Sequence, residues 1–430
     1  MDSIPSSKLS RISVYGVAAT KVGYNTLSHK TKKLINSKLN DDKVLEKNSK
    51  IIFEALTKLR GTALKMAQLL SLENGLLSAK YIKELEKSTY RVRPLNRAVV
   101  RKTIKAELGA YPENIFESFD TEAFAAASLG QVHRAIDKEG NKLAVKIQYP
   151  GIDKTLKQDL QMMRLSLNMM PHSKVVIETL DEVEKTLEQE VSYLNEAENI
   201  KYYQEKMRKQ EVIIPKVFPN YSNDKILTME YLEGKHLDQW LEQNPSQELK
   251  NLVAQKLFDL YVYSFFELKT FQADSNIGNF LFMGESDIAF LDFGCLKTVH
   301  ENFPKGVVAL VKASENDNKD AILDAFISLN FIKSKDEIVV EKFYDSVFMP
   351  FAQWTCQPYL EETYSFSKED NFASSASNAQ QIISREKEFV NYNRDFVYFH
   401  RGLYGLYKIF EQMEVTIELR SRLPKVSHKL

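Results

Sequence analysis

The chain has 430 residues, of which 43% are apolar, enough for a substantial buried core and for two or three domains. Lysine and arginine together number 58, as do aspartate and glutamate, so no net positive charge favours nucleic acid as a partner. Glycine is scarce, with 15 residues, which excludes collagen-like and low-complexity proteins. Neither G-x-G-x-x-G nor G-x-x-x-x-G-K-[ST], the common phosphate-binding signatures, occurs.

The first 40 residues are basic, with six lysines and one arginine against a single aspartate. This arm predicts either a solvated terminus or a surface for peripheral contact with a membrane. The sequence has no secretory signal and no apolar run long enough to span a bilayer. The two cysteines, Cys295 and Cys356, lack metal-site spacing. We therefore expect a protein that is not secreted, in the cytoplasm or on the matrix side of a membrane.

Helical spacing of apolar residues from Ile52 to Leu70 predicts an amphipathic helix, and residues 79–109 predict further helix. Two β-like runs follow, GQVHRAI and KLAVKIQY, and the turn-rich DKEGN between them indicates a hairpin. Residues 153–209 predict two helices, and KILTMEYLEG predicts a strand that ends near Gly234.

The second half of the chain is mostly helical in pattern. Helical periodicity resumes from Asp238 to Thr270, and two apolar runs around turn residues lead to Gly294. Residues 301–430 predict mostly helix, with a polar, exposed connection at 365–380. This order predicts a helical N-terminal region, a small sheet-containing lobe with one long helix, and a larger helical lobe. Their ranges are 1–112, 113–232 and 233–430.

Three oxygen-bearing side chains carry the strongest chemical signal: Asp274, Asn279 and Asp292. Carboxylate and amide oxygens are the hard donors that Mg²⁺ with nucleotide phosphates prefers. In phosphoryl transfer, one aspartate orients or deprotonates the acceptor while an asparagine and a second aspartate hold metal. Taken alone, however, Asp292-Phe293-Gly294 favours a tight turn between two buried strands over a catalytic role.

Lys146 lies in Ala144-Val145-Lys146-Ile147, on the second run of the predicted hairpin. An ammonium among apolar neighbours needs a partner or a polyanion, although a lysine at a sheet edge with its head in water is the alternative. Glu196 follows in the predicted helix EQEVSYLNEAENI, where a kinase-type lobe supplies the glutamate that pairs with the strand lysine. The chain order Lys, Glu, Asp, Asn, Asp favours a phosphotransferase-type nucleotide site.

Two parts of an ordinary protein kinase are missing. Where the glycine loop is expected, the chain has Ala125, Ala126, Ala127 and Ser128. Beyond Asp292 there is no Ala-Pro-Glu and hardly any activation segment before PKGVVALVKA. A polypeptide substrate would therefore have little surface on which to dock.

At these residues the sequence resembles the UbiB family of atypical kinase-like proteins, also called AarF or ADCK proteins. FAAASLGQVHRA resembles the alanine-rich loop and following strand of that family, LAVKIQYPG its nucleotide lysine, and ADSNIGN and LDFG its catalytic and metal segments. Lys65-Met66-Ala67-Gln68 resembles the K-x-G-Q signature, with Ala67 in place of glycine. Glu190-Val191-Ser192 falls where the family has E-x-D, with Ser192 in place of aspartate.

The resemblance implies an α+β, protein-kinase-like fold of two lobes with an N-terminal helical extension. It implies ATP or ADP as the nucleotide and Mg²⁺ as the metal. Lys146 would contact the phosphates and pair with Glu196, and Asp274 would be the catalytic aspartate. Asn279 and Asp292 would hold the metal.

Two further sets of residues acquire roles from the same resemblance. The nucleotide would also contact the alanine-rich loop and a hinge whose backbone receives adenine, formed by Met229, Glu230, Tyr231 and Leu232. A gate over the cleft, where a protein kinase binds its peptide, would be formed by Lys65, Gln68 and Glu190.

The function implied by the resemblance is an ATPase or small-molecule kinase that supports biosynthesis of an isoprenoid quinone such as ubiquinone. Its partners would be nucleotide and a quinone-like lipid or proteins of quinone biosynthesis, with peripheral membrane contact and no nucleic acid. Two alternatives stay open: a nucleotide-gated scaffold or lipid-handling pseudokinase without phosphotransfer, and a conventional protein kinase.

Overall fold

A computed structural model describes residues 8–35, 42–59, 63, 66, 95–127, 129–168, 173–207, 211–273, 276–316, 318–335, 340, 344–367 and 394–424. The chain divides into two compact units. The first comprises Met1–Glu198 with Val217–Tyr231, and the second comprises Asn199–Lys216 with Leu232–Leu430. The division into three parts at residues 112 and 232 stays a prediction.

The first unit contains a five-stranded antiparallel sheet in which β4 lies between β3 and β5. β1 and β2 pair with opposite ends of β3. The strands are β1 (Ser118–Phe119), β2 (Ala125–Ala127), β3 (Gly130–Ile136), β4 (Lys142–Gln148) and β5 (Ile226–Glu230).

The predicted hairpin is confirmed as β3 and β4, which pair along their whole length from Gly130↔Gln148 to Ile136↔Lys142. Its turn is held by Asp137, whose Oδ1 accepts hydrogen bonds from the backbone N–H groups of Glu139 at 3.1 Å and Asn141 at 2.7 Å. Gly140 takes a φ of 86°, a left-handed conformation that costs glycine little. Turn chemistry that is local in sequence therefore fixes the register of this pair.

Helices of the first unit precede the sheet and connect β4 to β5. They are α1 (Lys8–Ile35), α2 (Asp42–Leu59), α3 (Arg97–Leu108), α4 (Pro112–Ile115), α5 (Ile152–Asn168), α6 (Ser173–Glu190) and α7 (Tyr193–Lys206), the last of which continues into the second unit.

Among the described residues of this unit, buried side chains form two hydrophobic clusters. In one, α1 and α2 pack on α5 and α6, and Ala63 and Met66 are buried among them. In the other, Val100 and Ile104 of α3 pack against one face of the sheet. Arg11 pairs with the buried Asp159 and also donates to the carbonyl of Leu59, which ties α1 to both α5 and the end of α2.

The prediction of two helices over residues 153–209 is wrong, because the structure has three. The chain leaves α6 at Glu190 and starts α7 at Tyr193. Ser192 caps the new helix: its hydroxyl accepts from the backbone N–H of Asn195 at 3.4 Å and donates to Asp224 Oδ1 at 2.7 Å. This break ends α6 and lets α7 begin with its own cap.

In its described residues, the second unit combines helices with three two-stranded pairs, β6–β9, β7–β8 and β10–β11. Its elements are α8 (Leu237–Leu241), α9 (Gln247–Phe266), β6 (Thr270–Gln272), β7 (Phe280–Met283), β8 (Asp287–Phe290), β9 (Leu296–Thr298), α10 (Phe303–Glu315), α11 (Lys319–Ser328), α12 (Met349–Cys356), β10 (Thr363–Ser365), α13 (Arg394–Met413) and β11 (Thr416–Glu418).

Aromatic side chains fill much of the core of this unit. The rings of Phe265 and Phe399 contact each other, and each also contacts Phe271 and Phe303. The β10–β11 pair was not predicted, and Phe366, which falls in the expected exposed connection, is only 2% exposed. Among the helices that the structure describes, none has the length and apolarity to cross a bilayer.

Candidate functional site

In the first unit, the structure brings Lys146 and Glu196 together. The ammonium of Lys146 donates to both carboxylate oxygens of Glu196, at 2.8 and 2.7 Å. The two side chains are 12% and 3% exposed, so the pair is largely shielded from water. Removing one member of such a pair leaves an uncompensated charge, which costs about 3–5 kcal/mol.

Local structure explains how each member reaches the other. Lys146 lies on β4 opposite Val132 of β3 and Leu227 of β5, so its backbone is held on both sides by sheet hydrogen bonding. Glu196 lies in the first turn of α7, where the positive end of the helix dipole stabilises a carboxylate. The start of α7 at Tyr193 thus decides where this carboxylate points.

The alanines of the predicted loop form a strand instead. Ala125, Ala126 and Ala127 pair with the first three residues of β3, ending at Ala127↔Gly130. Alanine allows this because it adopts extended backbone angles more readily than glycine, which loses more conformational freedom on ordering. Ser128 lies outside the described residues.

The expected hinge follows directly on β5. Met229 pairs with Ala144 of β4, and Glu230 pairs with Leu143. The backbone N–H of Tyr231 donates to the carbonyl of Lys142 at 2.9 Å, so the sheet already uses this amide. Of the hinge residues expected to receive adenine, Leu232 belongs to the second unit.

A cation–π cluster beside the hinge was not predicted. The guanidinium of Arg134 lies 4.5 Å from the ring centre of Phe124 and 5.4 Å from that of Tyr231. The two rings meet edge to face at 5.6 Å. Phe124 precedes β2 and Tyr231 follows β5, so three segments distant in sequence converge here, and no local pattern announces that convergence.

In the second unit, the antiparallel pairing of β7 with β8 brings Asn279 and Asp292 to the same end of one hairpin. β7 and β8 pair from Phe280↔Phe290 to Met283↔Asp287, and the backbone N–H of Leu291 donates to the carbonyl of Asn279 at 2.9 Å. Asn279 is therefore the residue directly before β7, and Asp292 is the second residue after the end of β8. Amide and carboxylate oxygens at this end are hard donors that fit Mg²⁺.

Hydrogen bonds fix the Asp292-Phe293-Gly294 turn. Asp292 Oδ1 accepts from the backbone N–H of Gly294 at 2.8 Å, and the carbonyl of Asp292 accepts from the side-chain amide of Gln272 at 2.8 Å. The side-chain amide of Asn199, from α7, donates to the carbonyl of Phe293 at 2.8 Å. Sequence reasoning missed Gln272 and Asn199, although Asn199 lies one helical turn after Glu196, a spacing that marks it as a neighbour on the same face.

Of the remaining residues that were predicted to form the site, only some belong to the described part of the chain. Glu190 is half-buried at the end of α6. Asp274, Lys65, Ala67 and Gln68 lie outside the described residues, so their predicted roles stay predictions.

A sequence profile described as the ABC1 atypical kinase-like domain matches residues 87–326, more than half of the chain. Among curated proteins, the chain is 26% identical to "Probable serine/threonine-protein kinase abkA" of Dictyostelium discoideum, over 96% of the chain and 78% of that protein. It is 30% identical to "Atypical kinase COQ8B, mitochondrial" of Rattus norvegicus, over 76% of the chain and 64% of that protein. The chain thus spans less than two thirds of the length of the rat relative.

A solved structure from Mycobacterium tuberculosis, "The complex structure of Rv3197-erythromycin", matches with a TM-score of 0.61 at 21% identity, over 88% of this chain and 95% of that one. This match confirms the kinase-like α+β fold. The profile match over more than half of the chain leads to one conclusion: the chain belongs to the ABC1 atypical kinase-like family, the UbiB family that its motifs resemble.

Proposed function

We propose that this protein binds Mg²⁺–ATP and acts as an ATPase or small-molecule kinase. The observation that carries the proposal is the bidentate pair of Lys146 and Glu196, nearly shielded from water. The carboxylate of Glu196 keeps the positive charge of Lys146 in one small region beside the sheet, which suits binding of a phosphate chain. Membership of an atypical kinase-like family supports the same assignment.

The residues of the proposed site divide into those that bind phosphate, those that hold metal and one that orients the phosphoryl acceptor. Glu196 holds the ammonium of Lys146 at the phosphates, and Gly294 orients the carboxylate of Asp292. Asn279 and Asp292 would hold Mg²⁺, which when bound offsets negative charge on the phosphates. Asp274 is the predicted residue that orients the phosphoryl acceptor, by its place in the sequence motif.

Only a short stretch of chain lies between the Asp292-Phe293-Gly294 turn and helix α10, and this favours water or a small molecule over a polypeptide as the phosphoryl acceptor. β9 starts at Leu296, and helix α10 already begins at Phe303. Resemblance to the UbiB family points to a role in biosynthesis of an isoprenoid quinone, with a quinone-like lipid as partner at a membrane surface that the chain contacts peripherally.

A nucleotide-gated scaffold is the second candidate function. The observation that favours it is that Ala125, Ala126 and Ala127 form strand β2 of the sheet instead of a loop. A strand paired to β3 is less free to wrap phosphates than a glycine loop, which favours binding over rapid turnover. Turnover separates the two candidates. Tight Mg²⁺–ATP binding with no ATP hydrolysis above the uncatalysed rate, with or without vesicles that contain a quinone-like lipid, would favour the scaffold.

The test of nucleotide binding compares the wild-type chain with Asp292→Asn and Lys146→Met. We expect Mg²⁺-dependent ATP binding by calorimetry in the wild type, and a loss of at least about tenfold in affinity in each variant. Asp287→Asn is the matched control, because Asp287 is an exposed aspartate at the far end of the same hairpin. Wild-type protein that binds no nucleotide in the presence of Mg²⁺ would refute the proposal.

A further inference from the structure

Tyr193, the first residue of α7, places its aromatic ring against the ammonium of Lys146. Nζ lies 4.9 Å from the ring centre while it donates to Glu196 at 2.7 Å. Tyr193 is 1% exposed, so little water competes for the ammonium on this side. The face of an aromatic ring is negative, and its attraction for a cation increases when water is excluded.

The far end of the same ring is fixed where β3 begins. A Cβ added to Gly130 would lie 2.6 Å from the hydroxyl oxygen of Tyr193 and 2.3 Å from the carbonyl oxygen of Ile147. Neither distance is possible for a real side chain, so only glycine lets Tyr193 reach this depth. The other end of the residue is anchored as well, since its backbone N–H donates to the carbonyl of Asp224 at 3.1 Å.

We propose that Tyr193 is a positioning residue, which holds the ammonium of Lys146 in the orientation that a nucleotide phosphate requires. A lysine head on a flexible stem of four carbons can pivot around a carboxylate and still keep its hydrogen bonds. The ring of Tyr193 closes a second side, and the contact of its hydroxyl end with Gly130 prevents the ring from retreating. Glu196 supplies the charge, and Tyr193 restricts the direction.

The same contact links the lysine to the strand pair that would cover the phosphates. Gly130 is the residue that Ala127 pairs with, directly after the turn between β2 and β3. Tyr193 therefore touches the start of this strand pair and the ammonium at once. The nucleotide part of this inference rests on the proposed function, whereas the control of Lys146 by Tyr193 does not.

The experiment uses Tyr193→Leu, which removes the ring face, and Tyr193→Phe, which keeps it. Tyr359→Leu is the matched control, because Tyr359 is a buried tyrosine of the second unit, 5% exposed. The first measurement is the rate at which an activated ester acylates Lys146 without nucleotide, followed by mass spectrometry. The second is the affinity for Mg²⁺–ATP and for adenosine, which has no phosphate.

We expect Tyr193→Leu to raise the acylation rate of Lys146 several-fold and to weaken ATP binding about tenfold while adenosine binding is unchanged. Tyr359→Leu should match the wild type in both measurements. Tyr193→Phe keeps the ring face and loses only the hydroxyl contact with Gly130, so both of its values should lie closer to the wild type than those of Tyr193→Leu. If Tyr193→Leu does not fold, Tyr193→Met takes its place with the same expectations, because methionine fills irregular space without a ring face.

Unchanged acylation of Lys146 in the folded variant would overturn the inference. Equal losses of ATP and adenosine affinity would also overturn it, because they indicate general damage to the site. Wild-type protein that binds no nucleotide, together with faster acylation of Lys146 in Tyr193→Leu, would refute the proposed function and support the role of Tyr193.

Discussion

Asn199 donates a hydrogen bond from its side-chain amide to the backbone carbonyl of Phe293, at 2.8 Å. Phe293 is fully buried, and its ring packs against Tyr203 and Phe290 with centroid distances of 5.4 and 4.4 Å. A buried carbonyl needs a donor, and Asn199 supplies it from α7. The turn that carries Asp292 is therefore held by a helix as well as by its own strands.

Asn199→Ala should destabilise the protein and loosen this turn. Leaving the carbonyl of Phe293 without its donor costs about 1–3 kcal/mol, measurable as a lower urea midpoint. We also expect weaker Mg²⁺-dependent nucleotide binding, because the neighbouring carboxylate of Asp292 loses support. Glu198→Ala changes an exposed residue of the same helix and should leave both quantities unchanged. Equal stability of Asn199→Ala and wild type would contradict this prediction.

Gly130→Ala should be among the most damaging single-methyl changes in the first unit. The added Cβ would lie 2.3 Å from the carbonyl oxygen of Ile147, so β3 and β4 must separate or α7 must shift. We expect a loss of about 2–4 kcal/mol in the free energy of unfolding, or failure to fold. Gly16→Ala in α1 is the control. Apart from its chain neighbours and its own helix backbone, nothing in the described part of the chain lies within 4 Å of the added Cβ, so the variant should gain up to about 1 kcal/mol. Thermal unfolding measures both.

The free energy of unfolding should decrease as the pH is lowered, because of His400. Burial beside Trp354 and Phe396 lowers the pKa of this imidazole to about 4, so it is neutral in the folded state. In the unfolded chain it binds a proton near pH 6.5. The contribution of neutral, buried His400 to the free energy of unfolding is therefore fully present above about pH 6.5. As the pH falls towards 4, the protein loses roughly 3 kcal/mol of this free energy.

The check is urea unfolding of wild type and His400→Gln between pH 7.5 and 4.5. The variant should show a flatter pH dependence, whereas His236→Gln, at an exposed histidine, should follow the wild type. Burial also lowers the pKa of His133, so part of the slope should remain in His400→Gln. A pH dependence identical in His400→Gln and wild type would count against this explanation.

Ala126→Gly should change nucleotide preference. Ala126 is exposed on β2 and pairs with Gln131, and glycine there adds backbone freedom at a cost of about 0.5–1 kcal/mol in stability. A looser strand can wrap the terminal phosphate more closely, so ATP affinity should rise relative to ADP affinity. Ala126→Ser keeps the backbone restricted and should preserve the ratio. Unchanged ATP and ADP affinities in Ala126→Gly would refute the idea.

Much of the candidate site was readable from the sequence because its signals are local. The residues between the two runs, from Asp137 to Asn141, predicted the β3–β4 hairpin, and the hairpin fixed the strand position of Lys146. Two apolar runs around turn residues within 271–294 predicted strands that lead to Asp292-Phe293-Gly294, and β7 and β8 are present. In each case the hydrogen bonds join residues close in the chain, so composition and spacing suffice.

The remainder depended on contacts between distant segments. The break at Ser192 rests on Asp224, and the extended alanines of β2 rest on pairing with β3. β10 and β11, separated by some fifty residues, have no local signal that specifies their partner. Sequence alone thus determined which side chains carry charge and oxygen ligands, because that chemistry belongs to each residue. The tertiary structure decided that Tyr193 faces Lys146 and that Asn199 supports Phe293, because a helix's direction is set by what it packs against.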